Sequence, residues 1–302
     1  MIDVCLPGTG GMIPLPDRWL TCCWIEYQGS AVLIDCGEGT QIALKEAGCK
    51  PSRLAVLLIT HFHADHVAGL VGLLLTLCNH SRAEPLTVAG PPGLRRVVSS
   101  LTIIAPRLTF PLEIIELDKN NPVPLEKAGL TVYAAPLRHG TTCFGYKVEL
   151  KRKPVFNPQK AAALNIPVTF YKALHNGETV TLDDGETIKP EQVLDGARKP
   201  ITVCYVTDTR PFAGLAGFAE GVDLLIGEGM YFDEQMREKV EEKNHMLFSD
   251  SAELAKKSGA KRLWLTHYSP ALERPRDGVK IAERIFPKSE AAYDGIRLTI
   301  DG

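Results

Sequence analysis

The amino-acid sequence predicts an α/β protein, and three of its features support this fold class. Short apolar, β-branched runs bounded by glycine, proline and aspartate recur along the 302-residue chain and predict strands. Helical patterns lie between several of these runs. The alternation of the two patterns is typical of helices that pack against sheets. The length permits either one large domain or two modest ones.

The predicted strands are runs rich in valine, isoleucine, leucine and threonine that stop at a polar or turn-forming residue. In chain order they are residues 31–35, 54–60, 87–89, 130–135, 201–206, 223–226 and 262–266. Several of these runs are followed within a few residues by histidine or aspartate, which makes the strand ends the first place to look for a functional site.

The predicted helices have apolar residues at helical spacing. They are residues 40–47, 67–77, 93–101 and 249–257, the last of which precedes Gly259. The longest apolar run, residues 67–78, contains Gly69 and Gly72 and is much shorter than the roughly 20 residues that cross a bilayer. We therefore expect a buried helix there and no membrane anchor.

The composition is that of an ordinary globular protein, with 45% hydrophobic residues, 23% charged residues and a net charge of -2. This charge gives no overall attraction to nucleic acid, so any RNA binding must depend on a local patch. The eight cysteines form no Cys-x-x-Cys pair, and the N-terminus lacks the basic and apolar regions of a secretory signal. These features predict reduced thiols and a cytoplasmic location.

A basic segment interrupts the alternation of strands and helices between residues 147 and about 182. Up to residue 160 its only acid is Glu149, and its cations are Lys147, Lys151, Arg152, Lys153 and Lys160. We predict one domain over residues 1–302, with approximately residues 147–182 inserted as a projecting arm that is a candidate binding site outside the catalytic centre. A solvated surface excursion explains the charge run equally well.

The clearest chemical signal is His61-Phe62-His63-Ala64-Asp65-His66, which lies between a predicted strand and a predicted helix. In extended backbone, residues two apart point to the same side, so His61 and His63 can bind one ion together. Asp65 and His66 fall at the turn into the helix, where they can face a second ion. Neutral imidazole and carboxylate suit zinc, and manganese or iron are possible alternatives.

Three further candidate ligands follow predicted strands. His139 lies beyond residues 130–135, Asp208 beyond residues 201–206, and His267 directly after residues 262–266. Sites in open α/β sheets collect at the carboxyl ends of strands, so these side chains should converge with the histidine cluster if the strands share a sheet edge. Each of them alone could equally be an ordinary hydrogen-bonded residue.

The pattern H-x-H-x-D-H at residues 61–66 resembles the signature of the metallo-β-lactamase superfamily, and within it the whole chain is similar to the ribonuclease Z family. The motifs that carry the resemblance include Gly8-Thr9-Gly10, Asp35-Cys36-Gly37-Glu38-Gly39-Thr40, Pro136-Leu137-Arg138-His139, Thr207-Asp208-Thr209-Arg210, His245 and Leu265-Thr266-His267. The resemblance implies a four-layer αββα sandwich with an arm. It also implies a homodimeric endonuclease that removes the 3′ trailer of precursor tRNA.

The resemblance further implies roles for individual residues. Two zinc ions, with Mn²⁺ or Fe²⁺ as alternatives, would be held by His61, His63 and His139 on one side and by Asp65, His66 and His267 on the other, with Asp208 bridging. Asp65 would also orient or deprotonate the attacking water, and His245 would protonate the leaving ribose oxygen while Glu228 fixes its tautomer. Candidate RNA-binding residues are Arg18, Lys151, Arg152 and Lys153.

Two other functions stay open at this stage. The family's Gly-Pro motif in the arm is absent, because Ile166-Pro167 is followed by Val168-Thr169. A hydrolase of a small ester, lactone, sulfate or cyclic nucleotide, or an enzyme acting on another phosphodiester, would fit this loss. A non-catalytic, metal-stabilised RNA-binding protein is the third reading, and such a protein would be expected to have lost some of the seven ligands.

Overall fold

Two mixed β-sheets form the framework in the computed structural model, which describes residues 1–105 and 107–301. Within these residues each of the two sheets has seven strands. The first has the order β18-β1-β2-β3-β4-β5-β6 and contains β1 (Ile2–Gly8), β2 (Cys22–Tyr27), β3 (Ser30–Ile34), β4 (Leu54–Leu58), β5 (Leu86–Gly90), β6 (Leu112–Glu116) and β18 (Ile296–Ile300). The second has the order β17-β16-β15-β14-β9-β8-β7 and contains β7 (Leu125–Lys127), β8 (Leu130–Pro136), β9 (Phe144–Leu150), β14 (Ile201–Val206), β15 (Leu224–Glu228), β16 (Leu263–Thr266) and β17 (Ser289–Ala291).

The α-helices are short. They are α1 (Thr40–Glu46), α2 (Ala64–Val67), α3 (Leu70–Asn79), α4 (Leu94–Leu101), α5 (Pro158–Ala163), α6 (Tyr171–His175), α7 (Leu215–Phe218), α8 (Arg237–Glu242), α9 (Phe248–Ser258) and α10 (Val279–Ile285). Among the described residues, no helix combines the length and the apolar character that crossing a membrane requires.

Helices cover the outer face of each sheet, while the inner faces of the sheets meet. One apolar cluster joins Leu33 and Leu57 of the first sheet to Leu74 of α3. A second cluster joins Leu263 of the second sheet to Ala252 of α9. Burying these aliphatic side chains contributes roughly 1.5–3 kcal/mol for each one that leaves water.

Hydrogen bonds connect the two sheets directly. The Tyr146 hydroxyl donates to the carbonyl oxygen of Ile59 at 2.7 Å. The hydroxyls of Thr21 and Thr266 lie 2.9 Å apart. Because all four residues are within the body of the sandwich, these bonds fix the two sheets face to face. The resulting layers of helix, sheet, sheet and helix confirm the predicted αββα fold.

Parallel strands bring the candidate ligands to common edges. In the first sheet, β3, β4, β5 and β6 pair in parallel. In the second sheet, β14, β15, β16 and β17 do the same, whereas β7, β8 and β9 pair antiparallel. Parallel strands end at the same edge of a sheet, so the residues that follow β4, β14 and β16 collect at carboxyl ends.

The prediction of one continuous helix at residues 67–77 is wrong, because the structure has two helices there, α2 and α3. The division falls at Gly69, whose N–H donates to the carbonyl oxygen of Cys36 at 3.0 Å. A Cβ atom on Gly69 would collide with the carbonyl oxygen of Gly37. Two backbones therefore touch at this point, where α2 ends and α3 begins. Only glycine fits such a close approach.

The sequence analysis does not predict the four strands at the sheet edges, β6, β7, β17 and β18. In β6, Leu112 and Ile114 alternate with the exposed charges Glu113 and Glu116. Charged side chains are common on edge strands because they discourage pairing with another chain. The seven predicted strands correspond to β3, β4, β5, β8, β14, β15 and β16 and agree with them within two residues at each end. The predicted runs do not cover three strands inside the sheets, β1, β2 and β9.

The chain divides into two compact units, one of Met1–Glu149 with Thr202–Asp301 and one of Leu150–Ile201. The second unit contains α5, α6 and two small ribbons, β10 (Val155–Phe156) with β13 (Leu194–Asp195) and β11 (Val180–Thr181) with β12 (Thr187–Ile188). Its own apolar cluster includes Ala161, Leu174 and Ile188. The unit continues to Ile201, beyond the predicted limit at about residue 182, because β12 and β13 return to pair with β11 and β10.

Candidate metal centre

Side chains from four strand ends meet in one cleft of the first unit. His61, His63, Asp65 and His66 follow β4, His139 follows β8, Asp208 follows β14 and His267 follows β16. The ligand atoms form groups within which all atoms lie within 4.8 Å of one another: His61 with His63 and His139, Asp65 with His66 and His267, and His61 with His66 and Asp208. The structure thus brings all seven candidate ligands together.

The first group consists of three imidazoles. Nε2 of His61 lies 2.9 Å from Nδ1 of His63, and Nε2 of His139 lies 3.2 Å from the same Nδ1. His61 is buried, whereas His63 is exposed and His139 is half-buried. Three ring nitrogens therefore face a common point that is open to the cleft on one side.

The second group combines imidazoles with carboxylates. Nε2 of His66 lies 3.3 Å from Nε2 of His267, and Asp65 Oδ2 lies 3.4 Å from the former and 3.5 Å from the latter. Asp208 contacts both rings, with Oδ2 at 3.3 Å from His66 and Oδ1 at 3.4 Å from His267. Asp208 also belongs to a group with His61, so it lies between the two sets of ligands.

A buried acid orients each of the two histidines in the second group, His66 and His267. Asp35 Oδ2 lies 2.8 Å from Nδ1 of His66, and Asp35 Oδ1 accepts the backbone N–H of Thr60 at 2.8 Å. On the other side, Glu228 Oε1 lies 2.9 Å from Nδ1 of His267. With Nδ1 bonded to a carboxylate, each ring turns Nε2 toward the cluster. This arrangement is common around metal-binding histidines, because it fixes the tautomer and the ring direction.

The backbone is left-handed at three residues of the cluster that are not glycine. The φ angles are 65° at Asp35, 55° at Asp208 and 60° at His267. Such conformations cost about 1–3 kcal/mol each and persist when the surroundings enforce them. Each of the three lies just beyond a strand end, so the unusual φ turns a side chain that would continue the strand into the cleft.

The cluster favours positive charge at its centre. Burial alone would raise the pKa of Asp208, but the adjacent imidazoles of His267 and His66 hold it below its ordinary value. Burial disfavours the charged form of His267, yet Asp208, with Asp65 and Glu228, raises its pKa to about 10. Burial lowers the pKa of His61 to about 2, so that ring is neutral at neutral pH and keeps a nitrogen lone pair.

The residues fit a bound metal. Imidazole nitrogens and carboxylate oxygens are the usual ligands of zinc and related ions. Within the described part of the chain, the buried Oδ2 atom of Asp208 accepts no hydrogen bond. A buried carboxylate oxygen without a donor is costly, and a cation at this position would remove that cost. The types of ligand atom and the unpaired oxygen of Asp208 both indicate a site for a cation.

His245 stands beside the cluster and is fixed by Glu228. Its Nδ1 lies 2.6 Å from Glu228 Oε1, the same oxygen that faces His267, and 3.7 Å from Asp208 Oδ1. Glu228 Oε2 accepts the backbone N–H of Met246 at 2.9 Å, so both oxygens of the acid are occupied. Burial lowers the pKa of His245, but Glu228 and Asp208 raise it above its ordinary value. The structure therefore places His245 and Glu228 together, as the sequence analysis expects.

Two comparisons show which proteins the chain is similar to, and the full-length relatives show its family. The family model described as "Anti-Pycsar protein Apyc1" matches residues 2–96. A ribonuclease Z from Lachnospira eligens is 47% identical over 295 residues, which cover 98% of this chain and 96% of the relative. A ribonuclease Z from Lachnoclostridium phytofermentans is 43% identical over 304 residues, covering 100% and 98%. The chain belongs to the ribonuclease Z family.

Solved structures agree with the fold of a ribonuclease Z. The short form of human tRNase Z superposes with a TM-score of 0.71 at 24% identity, covering 99% of each chain. The metallo-β-lactamase fold protein YhfI from Bacillus subtilis also gives 0.71, at 18% identity and with 98% of each chain covered. The predicted metallo-β-lactamase fold is confirmed.

The candidate RNA-binding residues of this ribonuclease Z family member lie in different places. Arg18 is buried, and its guanidinium donates to the carbonyl oxygens of Leu272 and Glu273, both at 2.9 Å. Lys151, Arg152 and Lys153 belong to the second unit. The guanidinium of Arg18 thus joins two distant loops of the first unit.

The sequence analysis misses the residues that shape the cleft around the cluster. The cleft has a volume of about 820 Å³. It is lined by Met12, Tyr231 and Lys239 and by five of the candidate ligands, His63, Asp65, His139, Asp208 and His267. The backbone N–H of Met12 donates to Asp65 Oδ2 at 2.7 Å, and Met12 has a φ of 69°. Tyr231 could have been found from the sequence, because it lies three residues after Glu228 and Glu228 ends β15, a strand that contributes to the site.

Gly11 provides a test of how tightly His267 is held. A Cβ atom on Gly11 would lie 2.8 Å from Cε1 of His267, a ring already fixed by Glu228. We expect Gly11→Ala to shift the ring and to weaken metal binding about 10- to 100-fold, as loss of an orienting contact does. Competition with a chromogenic chelator measures the affinity. Gly217→Ala, where the new methyl meets open space, is the control. Wild-type affinity in Gly11→Ala would show that His267 is free to move.

Proposed function

We propose that this protein is a metal-dependent endoribonuclease of the ribonuclease Z type, which removes the 3′ trailer of precursor tRNA. The single observation that carries the proposal is the convergence of seven imidazole and carboxylate ligands, with His245 beside them, in a chain from this family. The chain keeps all seven candidate ligands and His245, which disfavours a non-catalytic RNA-binding role.

We infer that the centre takes two ions, most suitably zinc, with manganese or iron as alternatives. His61, His63 and His139 would hold one ion, and Asp65, His66 and His267 the other, with Asp208 shared. Two bound divalent cations would lower the pKa of a water molecule and would stabilise the charge that develops on a phosphodiester. The partition follows the groups whose ligand atoms lie within 4.8 Å of one another.

The chain's own residues divide the proton transfers between them. Asp65, whose Oδ2 accepts the backbone N–H of Met12, would orient the attacking water and accept its proton. His245 has its Nδ1 bonded to Glu228, so its Nε2 is the nitrogen that can donate to the leaving ribose oxygen. The water oxygen bonds to phosphorus as the bond from phosphorus to O3′ breaks. The products are a tRNA 3′-hydroxyl and a trailer 5′-phosphate.

The product ends provide the direct test of this function. We expect the purified protein with zinc or manganese to cut a precursor tRNA at one position beyond the acceptor stem, and sequencing of the fragments should show the ends derived above. The same preparation should hydrolyse bis(p-nitrophenyl) phosphate. Hydrolysis of the small diester without cleavage of the precursor would instead favour the small-substrate hydrolase.

We propose that Lys151, Arg152 and Lys153 contact the phosphate backbone of the RNA, and that Arg18 shapes the loop at the cleft instead of contacting RNA. Each phosphate neutralised by a cation releases condensed counterions, so binding through these residues should weaken with salt. The role of Arg18 in the loop is supported by its burial and by the bonds that its guanidinium donates to the carbonyl oxygens of Leu272 and Glu273.

Removing the second unit tests its part in RNA binding. The unit is inserted between β9 and β14, which are neighbours in the second sheet, so a short Gly-Ser linker can replace residues 151–200. We expect KM for precursor tRNA to rise at least about tenfold, since several phosphate contacts are lost. Hydrolysis of bis(p-nitrophenyl) phosphate should not change. Equal loss on both substrates would mean that the unit supports folding or assembly instead.

We further propose that the protein acts as a cytoplasmic homodimer, as the family resemblance implies. The mass in solution, measured by light scattering, tests the dimer.

A further inference from the structure

A directed series of hydrogen bonds in the cleft wall ends on the hydroxyl of Tyr231. The backbone N–H of Ala271 donates to Ser269 Oγ at 3.3 Å, and Ser269 Oγ donates to the Tyr231 hydroxyl oxygen at 2.7 Å. The Lys239 ammonium donates to the same oxygen at 3.2 Å. Both lone pairs of the phenolic oxygen are therefore occupied, and its hydrogen is left to be donated.

Across the described part of the chain, these two bonds are the ones that the Tyr231 hydroxyl makes. A hydroxyl that accepts from an ammonium and from another hydroxyl is polarised and becomes a stronger donor. Tyr231 lines the same cleft as His63, Asp65 and His245. Tyr231 thus lines the space in which a substrate of the metal centre would bind.

The strands that carry the metal centre also fix the position of this donor. Tyr231 follows Glu228 of β15 by three residues, and Ser269 follows His267 by two. These two strands pair in parallel with Glu228 opposite Thr266. Ser269 is buried, and its N–H donates to the carbonyl oxygen of Met230 at 3.1 Å. The hydroxyl is therefore held on the rigid frame of the ligands.

We propose that Tyr231 donates its phenolic hydrogen to a non-bridging oxygen of the scissile phosphodiester, and that Lys239 and Ser269 hold the hydroxyl in position for this bond. The inference rests on the proposed function, which places a phosphodiester in the cleft. A strong donor with a cation behind it matches an anionic phosphate oxygen, and the match improves as negative charge develops during hydrolysis. Tyr231 is then a catalytic residue, while Lys239 and Ser269 are positioning residues.

Tyr231→Phe tests the proposal because it removes one oxygen and keeps the ring. We expect kcat for bis(p-nitrophenyl) phosphate and for precursor tRNA to fall about 10- to 100-fold, the usual effect of losing a hydrogen bond to a charged group. KM should change little, since the bond strengthens in the transition state. Metal content and Tm should equal those of the wild type.

Tyr133→Phe is the matched control. Tyr133 is also a partly exposed tyrosine with a lysine over its ring, Lys147 at 5.4 Å, but it lies on β8 and does not line the cleft. We expect wild-type kinetics for this variant. If Tyr231→Phe is within twofold of the wild type on both substrates, or if it loses metal, the proposal is overturned. Loss on precursor tRNA alone also overturns it, because the contact would lie away from the scissile phosphate.

Lys239→Met tests the positioning role. We expect a loss of about 3- to 10-fold in kcat, and no further loss when Lys239→Met is added to Tyr231→Phe, because the lysine acts through the hydroxyl. Additive losses would overturn this part. Bis(p-nitrophenyl) phosphate separates the failure of the tRNA function from the failure of the role of Tyr231. Wild-type protein that hydrolyses this diester but leaves precursor tRNA intact contradicts the tRNA function. The effect of Tyr231→Phe on the same diester still decides the role of Tyr231.

Discussion

His63→Ala should remove bound metal and hydrolysis together, with activity lowered roughly a thousandfold or more, because the cations that activate water are lost. Nδ1 of His63 lies between Nε2 of His61, at 2.9 Å, and Nε2 of His139, at 3.2 Å. Without this nitrogen the first ion would keep two imidazoles and its share of Asp208, so it loses a ligand and should bind much more weakly. Metal analysis by mass spectrometry and hydrolysis of bis(p-nitrophenyl) phosphate provide the two measurements.

His80→Ala is the control for His63→Ala. His80 is exposed and makes its hydrogen bond to the carbonyl oxygen of Thr76 in its own helix. This variant should keep metal and activity. If His63→Ala instead retains the metal content and turnover of the wild type, the assignment of the first ion to His61, His63 and His139 is wrong.

His245→Ala should keep its metal and lose turnover about 100- to 10,000-fold on a substrate with a poor leaving group, the range expected for loss of general-acid catalysis. His245 is held by Glu228, and although it lies close to Asp208 and His267, the groups assigned to the two ions do not include it, so the seven candidate ligands remain. The loss should be much smaller for a p-nitrophenyl ester, because p-nitrophenolate leaves without a proton. The comparison requires kcat for precursor tRNA and for bis(p-nitrophenyl) phosphate with the same metal-loaded preparations.

Two outcomes would contradict the role of His245. Full activity of His245→Ala on precursor tRNA would show that the residue is structural. Equal losses on both substrates would show that the imidazole contributes something other than a proton to the leaving group. Glu228→Gln is a poor substitute for this experiment, because Glu228 Oε1 contacts both His245 and His267 and the change would disturb the metal as well.

The sequence predicts the metal ligands more directly where they lie close together along the chain. Four of the seven candidate ligands fall within residues 61–66. The alternation of extended backbone predicts that His61 and His63 bind one metal ion, and the turn into α2 brings Asp65 and His66 toward the second ion. His139, Asp208 and His267 were predicted only by their position after strands. Their convergence depends on β4 lying in one sheet and β14 and β16 in the other, which no local pattern specifies.

The features that the sequence did not predict depend on contacts between distant segments. The division of the predicted helix at Gly69 is caused by the approach of Cys36 and Gly37. The Tyr231 hydroxyl gains its orientation from Ser269, 38 residues away along the chain. The edge strands β6, β7, β17 and β18 contain exposed charged residues, so they do not form the continuous apolar runs by which strands were predicted.

The spread of the ligands along the chain has a consequence for the synthesis of the protein. The cluster begins at His61, but its last ligand, His267, follows β16. A nascent chain on the ribosome that has not yet released β16 lacks one imidazole of the second group and the strand that places it. Such a chain cannot complete the metal centre, so RNA near the ribosome meets an active nuclease only after most of the polypeptide has emerged and folded.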